Sequence, residues 1–127
     1  MNEIEFILYV SNQNKSCEFY EKLLGIKPIL NVPGMTEFKL SENVKLGLMP
    51  ESGIAKIISD KMPKPQKGNG IPRCELYLKV VNANEYLQRG IKLGAMEISQ
   101  LKNRDWGDTV GYISDPDGHI IAFAEKN

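Results

Sequence analysis

Two stretches repeat one another and decide the reading of the chain. Glu5-Phe6-Ile7-Leu8-Tyr9-Val10 is followed by Asn12 and Asn14, and Glu75-Leu76-Tyr77-Leu78-Lys79-Val80 is followed by Asn82 and Asn84. Every match is offset by 70 positions. The alternation and the β-branched and aromatic content of each run predict a strand. The asparagine after each run suits a helix N-cap, because its side-chain oxygen can accept from a backbone N–H that has no partner in the first turn. Each following amphipathic segment closes at a glycine, Gly25 or Gly94, where a left-handed C-cap costs least. Asn82 and Glu85 also have capping-box spacing. The apolar sets Phe19, Leu23, Leu24 and Leu87, Ile91, Leu93 read as core-facing helix stripes rather than as ligand contacts.

Working outward, three short strands follow Gly25: Lys27 to Val32, Thr36 to Leu40 and Lys45 to Met49, broken at Pro33-Gly34 and Ser41-Glu42-Asn43. The pattern recurs after Gly94 as Met96 to Gln100, Val110 to Ser114 and His119 to Ala124, with Lys102 to Thr109 as a longer loop. The sequence therefore reads as two βαβββ modules, about 1–50 and 73–127. Between them, about 51–72, a short helix at Ile54 to Ser59 leads into a Lys-, Pro- and Gly-rich connection.

At 127 residues, 42% hydrophobic and 25% charged, the expected product is one domain with a real core. Sixteen basic side chains balance sixteen acidic ones, so no overall field draws in nucleic acid or an acidic membrane surface. No apolar run approaches the about 20 residues that cross a bilayer. Met1 leads straight into a strand-like segment without a basic and apolar leader, so a cytoplasmic location is expected. Cys17 and Cys74 belong to no ligand cluster and read as buried thiols.

Tandem βαβββ modules, with FYEKLLG (residues 19–25) closing the first helix and WGDTVGYISDPDGH (106–119) introducing the last strand, resemble the vicinal oxygen chelate superfamily. That group includes glyoxalase I, the bleomycin and fosfomycin resistance proteins and the extradiol dioxygenases. The resemblance implies an α+β fold in which the mixed sheets of the two modules curl into a cup with the helices outside and substrate or drug within. It also implies a homodimer.

Alternation divides each strand between helix and cup. Phe6, Leu8 and Val10 form one face of the first strand, which leaves Glu5, Ile7 and Tyr9 in the cup. Leu76, Leu78 and Val80 pack under the second helix, while Arg73, Glu75, Tyr77 and Lys79 point inward. Lys45, Gly47, Met49, Ile120, Ala122 and Ala124 face the cup from the last strands. The metal ligands of the family map onto Glu5, Glu75, Gly47 and Ala122, of which the last two have no ligating atom. His119, the only histidine, alternates with Ile121 and Phe123 and reads as a turn residue facing away. Glu5 and Glu75 alone are too few donors for zinc, nickel or iron, so no cofactor is expected; a hard divalent ion finished by water is the metal they would suit. As a facing pair they would otherwise share a proton or attract a cation. The rest of the expected lining is Ile7, Tyr9, Met49, Tyr77, Tyr112 and Ala122, with Trp106 on a loop at the mouth, which suits a bulky aromatic ligand.

The expected function is a metal-free protein that holds a small aromatic or cationic drug-like compound. The alternatives are a metal-dependent lyase or dioxygenase, a metal-free isomerase or lyase with Glu5 and Glu75 as acid and base, and a dimerising module without a ligand.

Overall fold

A computed structural model describes residues 1–127. The chain forms two compact units, Met1–Asn69 and Gly70–Asn127. The first contains β1 (Ile4–Val10), α1 (Gln13–Leu24), β2 (Leu30–Val32), β3 (Met35–Ser41), β4 (Val44–Pro50) and α2 (Glu51–Ile58), and ends in a 3-10 turn at Pro65–Gly68. The second contains β5 (Glu75–Lys79), α3 (Ala83–Lys92), β6 (Met96–Asn103), β7 (Asp108–Ser114) and β8 (Ile120–Lys126). Their sheets have the same order, β1-β4-β3-β2 and β5-β8-β7-β6. In each, the first strand runs parallel to the last and the other pairs are antiparallel. The fold is α+β, with two mixed βαβββ modules.

The caps form where the asparagines place them. Asn12 accepts from the Lys15 amide at 3.0 Å, and Gly25, at φ 70, ends α1 with its N–H on the Glu21 carbonyl. Asn82 accepts from the Glu85 amide at 3.2 Å. Glu85 turns its own carboxylate to Arg89, one helical turn on, at 3.2 Å. Helix α1 packs on β4 and β3, and α3 on β7, β8 and β6. Leu8, Val10, Phe19, Leu23, Phe38, Leu46 and Leu48 are buried in the first unit, and Leu87, Ile113, Ile121 and Phe123 in the second. No helix is long and apolar enough to cross a membrane.

Four expectations need correction. Phe6 shares the face of Leu8 and Val10 but is 63% exposed, whereas those two, further along β1, are buried. Strand β2 is cut to three residues because Pro28 supplies no N–H. The expected Lys102–Thr109 loop is a hairpin end, with only Arg104–Gly107 outside the strands. Polar contacts extend that ladder: Thr109 donates to Asn103 at 2.6 Å, and the Arg104 guanidinium donates to the Val110 carbonyl and the Ser99 hydroxyl, each at 2.9 Å. Finally, Cys17 is buried as expected, whereas Cys74 precedes β5 and is exposed.

Candidate functional sites on the open sheet faces

Register places the side chains that face away from α1. Ile7 pairs with Gly47 and Gly47 with Glu37; Glu5 pairs with Lys45 and Lys45 with Lys39; Tyr9 pairs with Met49. Leu30 and Val32 continue this face through Glu37 and Met35. The result is an apolar field with a charged corner. Ile7, Tyr9, Leu30 and Val32 remain exposed and Met49 half-buried.

In the corner, Glu5 hydrogen-bonds Glu37 side chain to side chain. A bond between two carboxyl groups needs a proton on one of them. Burial, then the Glu37 hydrogen bond and charge, push the Glu5 pKa up to about 7, while Lys45 pulls the other way. Lys45 ties the corner together, with its ammonium 3.2 Å from Glu3 and 3.5 Å from Glu37. Gly47 gives Glu5 room: a Cβ there would stand 3.0 Å from Glu5 Oε2 and 3.0 Å from Ile7 Cγ1.

The second sheet carries different chemistry on the matching face. Tyr77 pairs with Ala122 and Ala122 with Tyr112, and Lys79 pairs with Ala124 and Ala124 with Val110. Ala122, Ala124 and Val110 are fully buried, with Tyr77 and Tyr112 packed against them. Arg104 lies 5.0 Å over the Tyr112 ring. The Tyr77 hydroxyl donates to Asp108 Oδ2 at 2.6 Å and accepts from Trp106 Nε1 at 2.9 Å, and Lys79 stands 3.5 Å from the same Asp108 oxygen. Burial first, and then the Asp108 bond, hold the Tyr77 pKa above its ordinary value. Asp108, itself buried, is held below the usual carboxylate range by the Tyr77 hydroxyl and then by Lys79, against the effect of burial.

Of the residues expected to line a site, Glu5, Ile7, Tyr9 and Met49 share the open face of the first sheet. Tyr77, Tyr112, Ala122 and Glu75 fall on the corresponding rows of the second, with Glu75 exposed. Ala122 lies beneath the tyrosine rings, so a ligand on this face meets the rings. Lys79 reaches Asp108 and not Glu75. Arg73, exposed before β5 begins, approaches His119 Nε2 at 3.5 Å. Glu37 and Asp108 were missed. Counting alternation from the buried Thr36 and Phe38 places Glu37 on the open face, whereas Asp108 was hidden by reading its hairpin as loop.

His119 is a turn residue, as expected. It is 4% exposed, its Nδ1 lies 2.8 Å from Asp115 Oδ2, and Asp115 Oδ1 accepts from the Asp117 and His119 amides. Asp115, Asp117 and His119 bring their ligating atoms within 4.8 Å, but these hydrogen bonds already account for both Asp115 oxygens. Two crevices lie elsewhere. One of about 230 Å³ sits between α3 and β6 over Leu87, Ile91, Leu101 and Ile113. The other, of about 360 Å³, sits at the start of α1, where Gln13 clamps the β2–β3 hairpin through Val32, Gly34 and Thr36. Neither contains a residue expected to line a site.

Of the four positions expected from the resemblance to hold metal ligands, Glu5 and Glu75 alone carry a carboxylate, one on each sheet. Glu5 is engaged with Glu37, and its carboxylate fills the space a side chain at Gly47 would need.

Tandem βαβββ units of this topology define a class of protein, and sequence comparison agrees. A glyoxalase-like domain matches residues 4–126. The chain belongs to the glyoxalase-like family and, with it, to the vicinal oxygen chelate superfamily. An uncharacterized protein of Mycobacterium bovis is 24% identical over 115 residues, 88% of this chain and 75% of its own. Among solved structures, a glyoxalase-related enzyme from Fulvimarina pelagi superposes with TM-score 0.81 at 19% identity, covering 97% of this chain and 86% of the other. A lactoylglutathione lyase from Agrobacterium tumefaciens gives TM-score 0.71 at 18% identity, over 96% and 91% of the two chains.

Proposed function

We propose that this protein binds a small organic molecule on its open sheet faces and holds it without a resident metal, in the manner of the resistance proteins of its superfamily. The observation that carries this reading is the first sheet's open face. Ile7, Tyr9, Leu30 and Val32 are exposed around a carboxyl pair, where a protein with nothing to bind would cover them. Aromatic walls favour a flat ligand, and the Glu5–Glu37 corner favours one with an amine. Homodimerisation and a cytoplasmic location belong to the same reading.

Native mass spectrometry of freshly purified protein, with elemental analysis, tests it. The expected spectrum is a dimer that retains or accepts an organic ligand and carries no stoichiometric metal. One zinc, nickel, iron or manganese per chain would overturn the metal-free reading, and failure to take up any member of an aromatic amine library would overturn the binding reading.

One observation favours a second reading. A carboxyl that titrates at about 7 is placed to take and return a proton at neutral pH. A metal-free isomerase or lyase using Glu5 would consume the ligand found by mass spectrometry. That turnover would survive a chelator and vanish in Glu5→Gln.

A further inference from the structure

The second unit presents the acceptor face of a hydroxyl, and its own tryptophan is using it. Tyr77 commits its proton to Asp108 at 2.6 Å, the length of a strong hydrogen bond to a carboxylate. Its oxygen lone pair is then left to receive a donor, and the donor present is the Trp106 indole N–H at 2.9 Å. Trp106 is not a core residue. It is 57% exposed on the four-residue turn Arg104–Gly107. The base of that turn is fixed without it, by the Arg104 amide on the Asp108 carbonyl at 2.8 Å and by the Arg104 side chain on Ser99 and Val110. Nothing in these ladder contacts requires an indole at position 106.

We propose that Trp106 is a stand-in ligand, and that the Tyr77–Asp108 pair forms a subsite for planar aromatic compounds with a ring N–H or a phenolic O–H. The inference rests on the small-molecule reading above and narrows it to a ligand class. Asp108 acts here as a positioning residue: by holding the Tyr77 proton it turns the hydroxyl oxygen outward as an acceptor. Ligands that only accept hydrogen bonds gain nothing from the subsite. A ligand that enters displaces the indole, so Trp106 emission reports occupancy in the intact protein.

The test uses full-length protein and two probes of nearly equal size, indole and 1-methylindole, which differ in the N–H. Binding is followed by two-dimensional amide NMR on wild type, Trp106→Ala, and Trp106→Ala combined with Tyr77→Phe. Emptying the subsite in Trp106→Ala should tighten indole binding over wild type. One net hydrogen bond should also make indole bind about 2- to 12-fold tighter than 1-methylindole. The added Tyr77→Phe should remove that preference and leave 1-methylindole unchanged. In Trp106→Ala combined with Asp108→Asn, the amide can donate to the Tyr77 oxygen, so the preference should shrink.

Equal affinity of Trp106→Ala for the two probes would overturn the subsite while leaving aromatic binding intact. A preference that survives Tyr77→Phe would place the acceptor elsewhere and overturn it as well. No shift with either probe in the millimolar range would overturn both the subsite and the wider reading for this face. Trp106→Leu gives the same comparison should the alanine variant fold poorly.

Discussion

Replacing Glu37 with glutamine should move the titration of Glu5 and change how stability depends on pH. Glu5 titrates at about 7, against 4.5 for a free glutamate, and the causes in order are burial, the Glu37 hydrogen bond and the Glu37 charge. The substitution removes the second and third causes, and the amide it introduces can donate to an ionised Glu5. Burial remains, so the midpoint should fall clearly below 7 without reaching 4.5. The sign for stability follows from proton counting. Between pH 4.5 and about 7 the folded protein holds a proton that the unfolded chain releases, so wild type loses stability as pH rises through this window and levels off above it. One proton bounds the slope at about 1.4 kcal/mol per pH unit. Solvent on the open side of Glu5 screens much of this, so about 1 kcal/mol across the window is expected, or about 4 °C in melting temperature. Glu37→Gln should flatten that slope. Lys45→Met should raise the Glu5 midpoint, because the Lys45 charge lowers it. Carboxyl-carbon NMR reads the midpoint and thermal unfolding reads the slope. A Glu37→Gln protein that still titrates Glu5 near 7 would refute the pairing.

Three further outcomes are expected. Glu5→Gln should weaken amine-bearing aromatic ligands by about 1 to 3 kcal/mol and neutral ones hardly at all, measured by calorimetry; equal weakening would mean that the carboxyl shapes the face without selecting charge. Gly111→Ala should cost about 1 to 3 kcal/mol in denaturant unfolding, because its Cβ would stand 2.4 Å from Leu87 Cδ1 and 3.3 Å from the Leu101 backbone nitrogen. The same change in a Leu87→Ala background should cost less. Ala122→Glu should destabilise by about 3 kcal/mol or more, since it puts a carboxylate beneath Tyr77 and Tyr112 where Ala122 is fully buried; an unchanged melting temperature together with metal uptake would show that the position is open.

The architecture was legible because it is written twice in short-range signals. Strand alternation, Asn caps and the glycine ends of the helices are local, and tertiary packing reinforced each of them. Errors came where a decision depended on a neighbour in space. Phe6 has the alternation of a core residue, yet it is bare while Leu8 and Val10 on the same face of β1 are buried, a difference that alternation cannot carry. The strand ends of the β6–β7 hairpin, Lys102–Asn103 and Asp108–Thr109, are polar, so no apolar period betrayed its ladder. The carboxyl pairing was half legible. Glu5 was identified, and its partner was sought at the repeat position Glu75; the residue it meets is Glu37, which lies two strands away in the sheet order and whose matching register position in the second module holds Tyr112.

The small residues on the last strands have a common consequence in the two modules. Gly47 and Ala122 sit in register with Ile7 and Tyr77, at matching places in the two sheets. In each module a polar side chain from the first strand meets an acid from the third: Glu5 meets Glu37 past Gly47, and Tyr77 meets Asp108 over the floor of Ala122, Ala124 and Val110. A longer residue at position 47 would obstruct that reach, and the 3.0 Å approach of its Cβ to Glu5 Oε2 shows how little room remains. A small residue on the last strand and a cross-sheet acid contact thus occur together in both modules. Gly47→Ala should therefore act on Glu5 as Glu37→Gln does, prising the carboxyl from its partner and lowering its midpoint, although the alanine carries no charge. If the Glu5 titration in Gly47→Ala matches wild type, the glycine is incidental and the link between small residue and acid pair fails.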